Sequence, residues 1–150
     1  MAKVAAAGSV QPEVRLHALH LIRSAGVEAK DWIGELIAMN AFVRDKVRYT
    51  RDVWGVETVQ TPAATLRLMM GDCDDKATLL ASLLMSIGFR VQFGLLNRRG
   101  HIVHVWTRCQ LHGRWIDCET TEPVRLGELP PLPKGDKVET YNIAPYQHGR

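Results

Sequence analysis

The spacing of apolar positions divides the chain into a helical first half and a strand-rich second half. Residues 12–24 open with Pro12, place Val14, Ala18 and Leu21 on one face and run into Gly26, a pattern that predicts a helix with a glycine C-terminal cap. From Asp31, a suitable N-cap, Trp32, Leu36, Met39, Val43 and Val47 recur at helical spacing, predicting a longer amphipathic helix that ends near Arg48. Residues 49–60 keep no steady period and contain Gly55, so they read as an irregular connection carrying Tyr49 and Trp54. Thr61 and Pro62 form an N-cap with proline at the first helical position, predicting a short helix stopped by Gly71. Asp72 then caps a third long helix, with Asp75 as the acidic arm of a capping box, Ala77, Leu80, Leu84 and Ile87 as its buried stripe and Gly88 at its end. Cys73 stands at the top of that stripe.

Residues 90–96, 102–109 and 114–118 are short β-branched and aromatic runs separated by Asn97 to Gly100 and by a turn predicted over Gln110 to Gly113, which reads as antiparallel strands. The tail from Pro123 contains Pro130, Pro131, Pro133 and Pro145, so it is expected to wrap the domain or hang loose without adding a core element. The 150 residues, 46% apolar and 23% charged, suffice for one compact domain over 1–150 with a full core. The order of elements gives an α+β fold, with N-terminal helices packed on an antiparallel sheet.

Charge removes some classes of function. The excess of +3 is spread evenly: residues 1–71 carry 9 basic and 7 acidic side chains, 72–122 carry 6 and 6, and 123–150 carry 4 and 3. A nucleic-acid partner is therefore not expected, since binders gather Lys and Arg on one face. No run approaches the length needed to cross a bilayer, and Met1 to Val10 is too short and too weakly apolar for a secretory signal, so no membrane partner is expected either. Three cysteines, Cys73, Cys109 and Cys118, form no disulfide framework and point to a reducing, cytoplasmic setting. Asp72, Asp74 and Asp75 lack the glycine and the late glutamate of a calcium loop, because Ala77 and Leu83 stand there, and no CxxC pair exists for zinc; neither metal nor cofactor is expected.

The chemistry lies in the order of three residues. A helix N-terminus carries about half a positive charge and favours a thiolate at Cys73; His104 titrates near neutrality and suits a general base; Asp117 can orient the imidazole. With a loop over Gln110 to Gly113, Trp106 faces Asp117, and His104 and Asp117 become diagonal neighbours on one face. The same register sends Cys109 and Cys118 to the opposite face, too far apart for a disulfide, as core thiols. Against this reading, a lone cysteine is most often a small buried hydrophobe, and Asp72, Asp74 and Asp75 oppose a thiolate. His101 is the rival base, placed beside Gly100 where it points to solvent; Trp106 and Trp115 read as packing. The backbone amide of Cys73 is the natural first oxyanion donor, with Gln60 or Trp54 as candidates for the second and Tyr49 or Trp54 as a cleft aromatic.

Over residues 30–121 these pieces resemble the transglutaminase-like (papain-like fold) cysteine peptidase superfamily. The matching residues are Tyr49 and Asp52, Pro62 with Leu66, the run Gly71-Asp72-Cys73-Asp74-Asp75 with the helix after it, His104-Val105-Trp106, and Gly113 to Asp117. The resemblance implies a papain-like architecture, Cys73 as nucleophile, His104 as base, Asp117 as orienter, a thioacyl intermediate formed from an amide, and a protein or peptide substrate. It leaves open whether water or an amine takes the acyl group. The chain lacks the calcium-binding and accessory segments of animal transglutaminases, and it is similar to compact members in phage and prophage gene sets, which would make it virion-associated. The alternative is a non-catalytic interaction or assembly module that keeps the fold.

Overall fold

The computed structural model describes residues 1–51 and 58–146, so Trp54 lies outside the described residues. Among the described residues five helices, α1 (Ala2–Ser9), α2 (Pro12–Ser24), α3 (Trp32–Lys46), α4 (Pro62–Leu68) and α5 (Cys73–Ser86), pack beside a sheet of β3 (Val91–Arg98), β4 (His101–Leu111), β5 (Arg114–Cys118) and β6 (Lys137–Asn142) in the order β5-β4-β3-β6. Two short segments, β1 (Arg48–Tyr49) and β2 (Met70–Gly71), pair in parallel and tie the chain after α3 to the residues just before Cys73. The α+β class and the papain-like layout expected from the sequence are those of the structure.

The centre is α5. Its sequence shows one apolar stripe, yet residues 75–84 are all buried, including Lys76, Thr78 and Ser82, because neighbours surround it on every side. On one flank stand Leu36, Met39 and Val43 of α3 with Val14 and Ala18 of α2; on the other lie Val91, Phe93, Val105 and Cys109 of the sheet. Each such leucine removed from water is worth ~1.5–3 kcal/mol. Ser82 Oγ donates to the Ala5 carbonyl at 2.9 Å, and Thr107 Oγ1 reaches from β4 to the Ala77 carbonyl at 2.8 Å, while Thr78 Oγ1 is buried with no hydrogen bond among the described residues. The first contact explains α1, whose alanine-rich sequence carries no amphipathic pattern of its own. Gly8 lets it lie close, since a Cβ there would come 2.5 Å from Pro62.

Three further expectations change. The tail contributes a strand: β6 pairs antiparallel with β3, because Lys137 to Asn142 follow the last proline of the cluster and offer free N–H groups along with the strand formers Val138, Thr140 and Tyr141. The α4 helix ends at Met69 in a left-handed conformation (φ 52°), so Gly71 does not stop it. Most consequential is the β4–β5 turn. It uses only His112 and Gly113, both at positive φ (48° and 77°), as a two-residue hairpin turn requires, and Leu111 therefore pairs with Arg114. That register puts Cys118 opposite Thr107 and Cys109 opposite Ile116, making the two thiols diagonal neighbours on one face, closer than the four-residue loop implied. Both are buried and free.

Candidate active site

The site begins at the N-terminus of α5. Asp72 accepts from the Asp75 amide at 3.0 Å and the Asp75 carboxylate accepts from the Asp72 amide at 3.2 Å, the capping box that the spacing predicted. The other Asp75 oxygen accepts from the Gln60 amide at 2.7 Å, so this buried carboxylate also draws the preceding connection onto the helix start. A Cβ on Gly71 would stand 2.5 Å from Asp75 Cβ, which is why this position needs glycine. With its N-terminus fixed in this way, α5 presents the half-buried Cys73 at its first residue.

Among the described residues two hydrogen bonds reach the sulfur. Its S–H donates to Asp74 Oδ1 at 3.7 Å, and the backbone N–H of Val105, the residue after His104, donates to the sulfur. Burial, then the charges of Asp74 and Asp72, push the thiol up to about 12. The helix start and its acidic residues thus act in opposite senses, and the resting thiol is protonated.

His104 stands on β4 just past an irregularity: Leu96 pairs with His104 but Asn97 pairs with Ile102, so Val103 is extra. Such a bulge turns the following side chain relative to a regular pleat. Nε2 of His104 lies 2.7 Å from Glu119 Oε2, and the ring stacks on Trp106 with centroids 6.0 Å apart. Trp106 lies over Gly94, where any Cβ would meet the indole. Burial works against charge on the ring, but the hydrogen bond and charge of Glu119, followed by Glu122 and Asp74, outweigh it and raise its pKa above 6.5. Burial likewise works against the Glu119 carboxylate, and its bond to His104 and to two backbone amides lowers its pKa overall.

Asp117 is not the partner of His104. The two-residue turn pairs it with Arg108, and its Oδ1 accepts from Arg108 Nε and from Trp106 Nε1, each at 2.7 Å. Asp117 still shares the face of His104, since the register moves by an even step, but it sits one pair too far along the strand. Glu119, two residues later and just past the end of β5, takes the diagonal place. Its side chain is fully buried, its second oxygen accepts from the amides of Thr120 and Thr121 at 2.8 Å each, and its own carbonyl is held by Asn40 Nδ2 of α3 at 3.1 Å. Nearby, the buried Lys76 donates to the carbonyls of Val47 (2.8 Å) and Arg44 (3.3 Å), closing the end of α3 with its charge in range of Glu119.

The remaining candidates fall around this cluster. Gln60 is tied to α5 through Asp75, and its side-chain oxygen accepts from Thr65 Oγ1 at 3.3 Å. Tyr49 pairs with Gly71, two residues before Cys73, and is 44% exposed, as a residue at a cleft mouth would be. His101 is exposed at the start of β4, three residues from His104. Among the described residues no group of three or more His, Cys, Asp or Glu side chains is placed to hold a metal ion, and no helix is long and apolar enough to cross a membrane.

With a cysteine at the start of α5, an imidazole on β4 and a carboxylate just past β5, comparison with known proteins becomes informative. The sequence model of the transglutaminase-like superfamily matches residues 24–120, more than half of the chain. The chain belongs to that superfamily. Solved structures agree in fold. A candidate protease from Parabacteroides distasonis superposes with a TM-score of 0.62 at 12% identity, over 73% of this chain and 23% of that one. A candidate cysteine protease from Cytophaga hutchinsonii gives 0.56 at 15%, over 91% of this chain and 55% of that one. The transglutaminase-like chain thus spans about a quarter and just over half of these neighbours. No curated protein sequence matches it.

Proposed function

We propose that the protein is a thiol-dependent enzyme that cleaves or transfers acyl groups from amides, with Cys73 as nucleophile, His104 as base and Glu119, in place of Asp117, as the group that orients the imidazole. The observation that carries this reading is the 2.7 Å bond from His104 to a fully buried carboxylate whose other oxygen is locked by two backbone amides. Burying a carboxylate is costly, and here its hydrogen bonds hold one imidazole nitrogen in place. With Nε2–H donated to Glu119, Nδ1 carries the lone pair that can accept the Cys73 proton.

In this mechanism the proton moves from sulfur to Nδ1 as the sulfur attacks the amide carbonyl carbon. Glu119 stabilises the imidazolium that forms. The Cys73 backbone N–H supplies one oxyanion donor, and the Gln60 side-chain amide is the candidate for the second. Collapse of the tetrahedral intermediate breaks the C–N bond, His104 protonates the departing amine, and a thioester remains on Cys73. Water or a second amine then takes the acyl group. The substrate is a protein or peptide amide, reached across Tyr49.

The test is release of ammonia or amine from a peptide-amide library, with mass spectrometric trapping of an acyl group on Cys73. Cys73→Ala and His104→Ala should abolish both signals, with Cys73→Ala keeping the parental melting temperature. A second reading, a non-catalytic interaction module, gains support from the thiol pushed up to about 12. It prevails if the parent releases nothing across the library and traps no acyl group.

A further inference from the structure

Resting on the catalytic reading above, we propose that Asp74 is a further functional residue of the site: it holds the Cys73 thiol proton away from His104 until the reaction begins. Groups on both packed elements act on the sulfur and the imidazole. From α5 come Asp72 and Asp74; from β4 come the Val105 N–H and the His104 ring; behind the ring stand buried Glu119 and exposed Glu122. Within this set the thiol has one acceptor in the resting structure, Asp74 Oδ1 at 3.7 Å, while the Val105 N–H occupies a lone pair of the sulfur.

Asp72 and Asp75 close the helix cap, and Glu119 is bonded to His104 and two backbone amides. Asp74 alone among them faces both reacting partners, accepting from the thiol and acting electrostatically on the ring. Catalysis then requires the S–H to turn from Asp74 to Nδ1 of His104. The proton passes to nitrogen, the S–H electron pair stays on sulfur, and Asp74 is unchanged. The arrangement keeps the nucleophile as a neutral thiol, the form that resists alkylation and oxidation, until that turn is made.

The experiment measures the rate at which Cys73 reacts with a neutral pyridyl disulfide from acid to alkaline pH, with peptide mapping to separate it from Cys109 and Cys118. In the parent, the rate should climb through and beyond pH ~8.5, the ordinary thiol value. A plateau below neutral pH, the signature of a preformed thiolate, would overturn the proposal, and this measurement needs no variant. Asp74→Asn should lower the apparent pKa of reaction by about one unit. Tenfold more thiolate, offset by the weaker nucleophilicity of a more acidic thiol, gives a rate about threefold higher at pH 7. Asp74→Glu, which keeps the carboxylate, should stay close to the parent. An unchanged or slower Asp74→Asn protein of parental melting temperature refutes the role of Asp74. Amide release separates the two readings: loss of turnover in His104→Ala with no acceleration in Asp74→Asn sinks this proposal alone. Acceleration with no dependence of turnover on Cys73 or His104 sinks the catalytic reading instead.

Discussion

Glu119→Gln gives the sharpest test of the site, because the surroundings dictate how the amide must sit. One Glu119 oxygen faces two N–H donors, from Thr120 and Thr121, and the other faces His104 Nε2. A glutamine must give its only oxygen to the two donors, since turning its NH2 toward them would leave two buried amides unpaired at ~1–3 kcal/mol each. Its NH2 then meets His104 Nε2, which can pair only as an acceptor, so the ring proton moves to Nδ1. On the proposed mechanism Nδ1 is the nitrogen that takes the thiol proton, and once protonated it can no longer do so. All the hydrogen bonds survive, so stability should change by no more than about 1–2 kcal/mol. Turnover should collapse: the equivalent tautomer error in a serine protease costs about ten-thousandfold, or ~5.4 kcal/mol at 1.36 kcal/mol per factor of ten. Asp117→Asn is the matched control, because both donors to Asp117 use the same oxygen, Oδ1, which asparagine retains. It should keep turnover within a few-fold. The assays are amide release, melting temperature and nitrogen NMR of the His104 ring. If Glu119→Gln keeps a tenth of parental turnover, or its ring stays protonated at Nε2, the argument is wrong; if Asp117→Asn is the inactive one, so is the assignment.

Other outcomes follow from the same contacts. Since the His104 pKa is raised above 6.5 and the thiol is held neutral, the acid limb of kcat/KM should lie above pH 6.5; a limb near pH 4 would indicate a preformed ion pair. The stability contributed by Glu119, whose pKa is lowered, is present above pH 4.5 and lost as pH falls through its folded value. That contributed by His104 is present below pH 6.5 and lost as pH rises through its raised value. The melting difference between parent and Glu119→Gln should therefore be largest between pH 4.5 and 6.5 and shrink at pH 9; a difference that grows toward pH 9 would contradict this. Gly71→Ala drives a Cβ to 2.5 Å from Asp75 and should cost ~1–3 kcal/mol in denaturant unfolding, with a loss of Cys73 reactivity as the helix start shifts. Lys76→Met leaves the Val47 and Arg44 carbonyls without their donor, and urea unfolding should show a loss of ~1–3 kcal/mol.

How much of this was legible in the sequence depended on whether the signal was local. The capping box, the proline-started helices and the alternating strands are each encoded within a few neighbouring residues, and they place Cys73 and His104 on their elements without knowledge of the rest. The α1 helix is held by contacts with α5 some seventy residues away, and its run of alanines carries no amphipathic pattern of its own. For β6, the prolines upstream masked a short run of strand formers whose partner is β3. The burial of α5 on all sides, Lys76 included, is set by how many neighbours gather around it, which periodicity within one helix does not report.

The carboxylate bonded to His104 is Glu119 and not Asp117 because of the length of one turn. A loop over Gln110 to Gly113 leaves Leu111 in a solvent-facing turn, whereas the structure keeps it in β4, 8% exposed, with the turn confined to His112-Gly113. The glycine at the second turn position and the apolar residue before it were both visible, and together they favour the tighter hairpin. Shortening the loop by two residues slides β5 along β4 by one face-preserving step. Parity therefore stayed right while position went wrong, and the error was invisible to any test based on alternation alone. Both carboxylates satisfy the alternation, and what separates them is what each one touches. Asp117 is shared by an indole and a guanidinium at a part-exposed position, where it holds Trp106 beneath His104. Glu119 is sealed from water with one oxygen on the imidazole. A carboxylate in the second setting restricts the ring to one tautomer, and one in the first acts on the ring only through the indole it steadies.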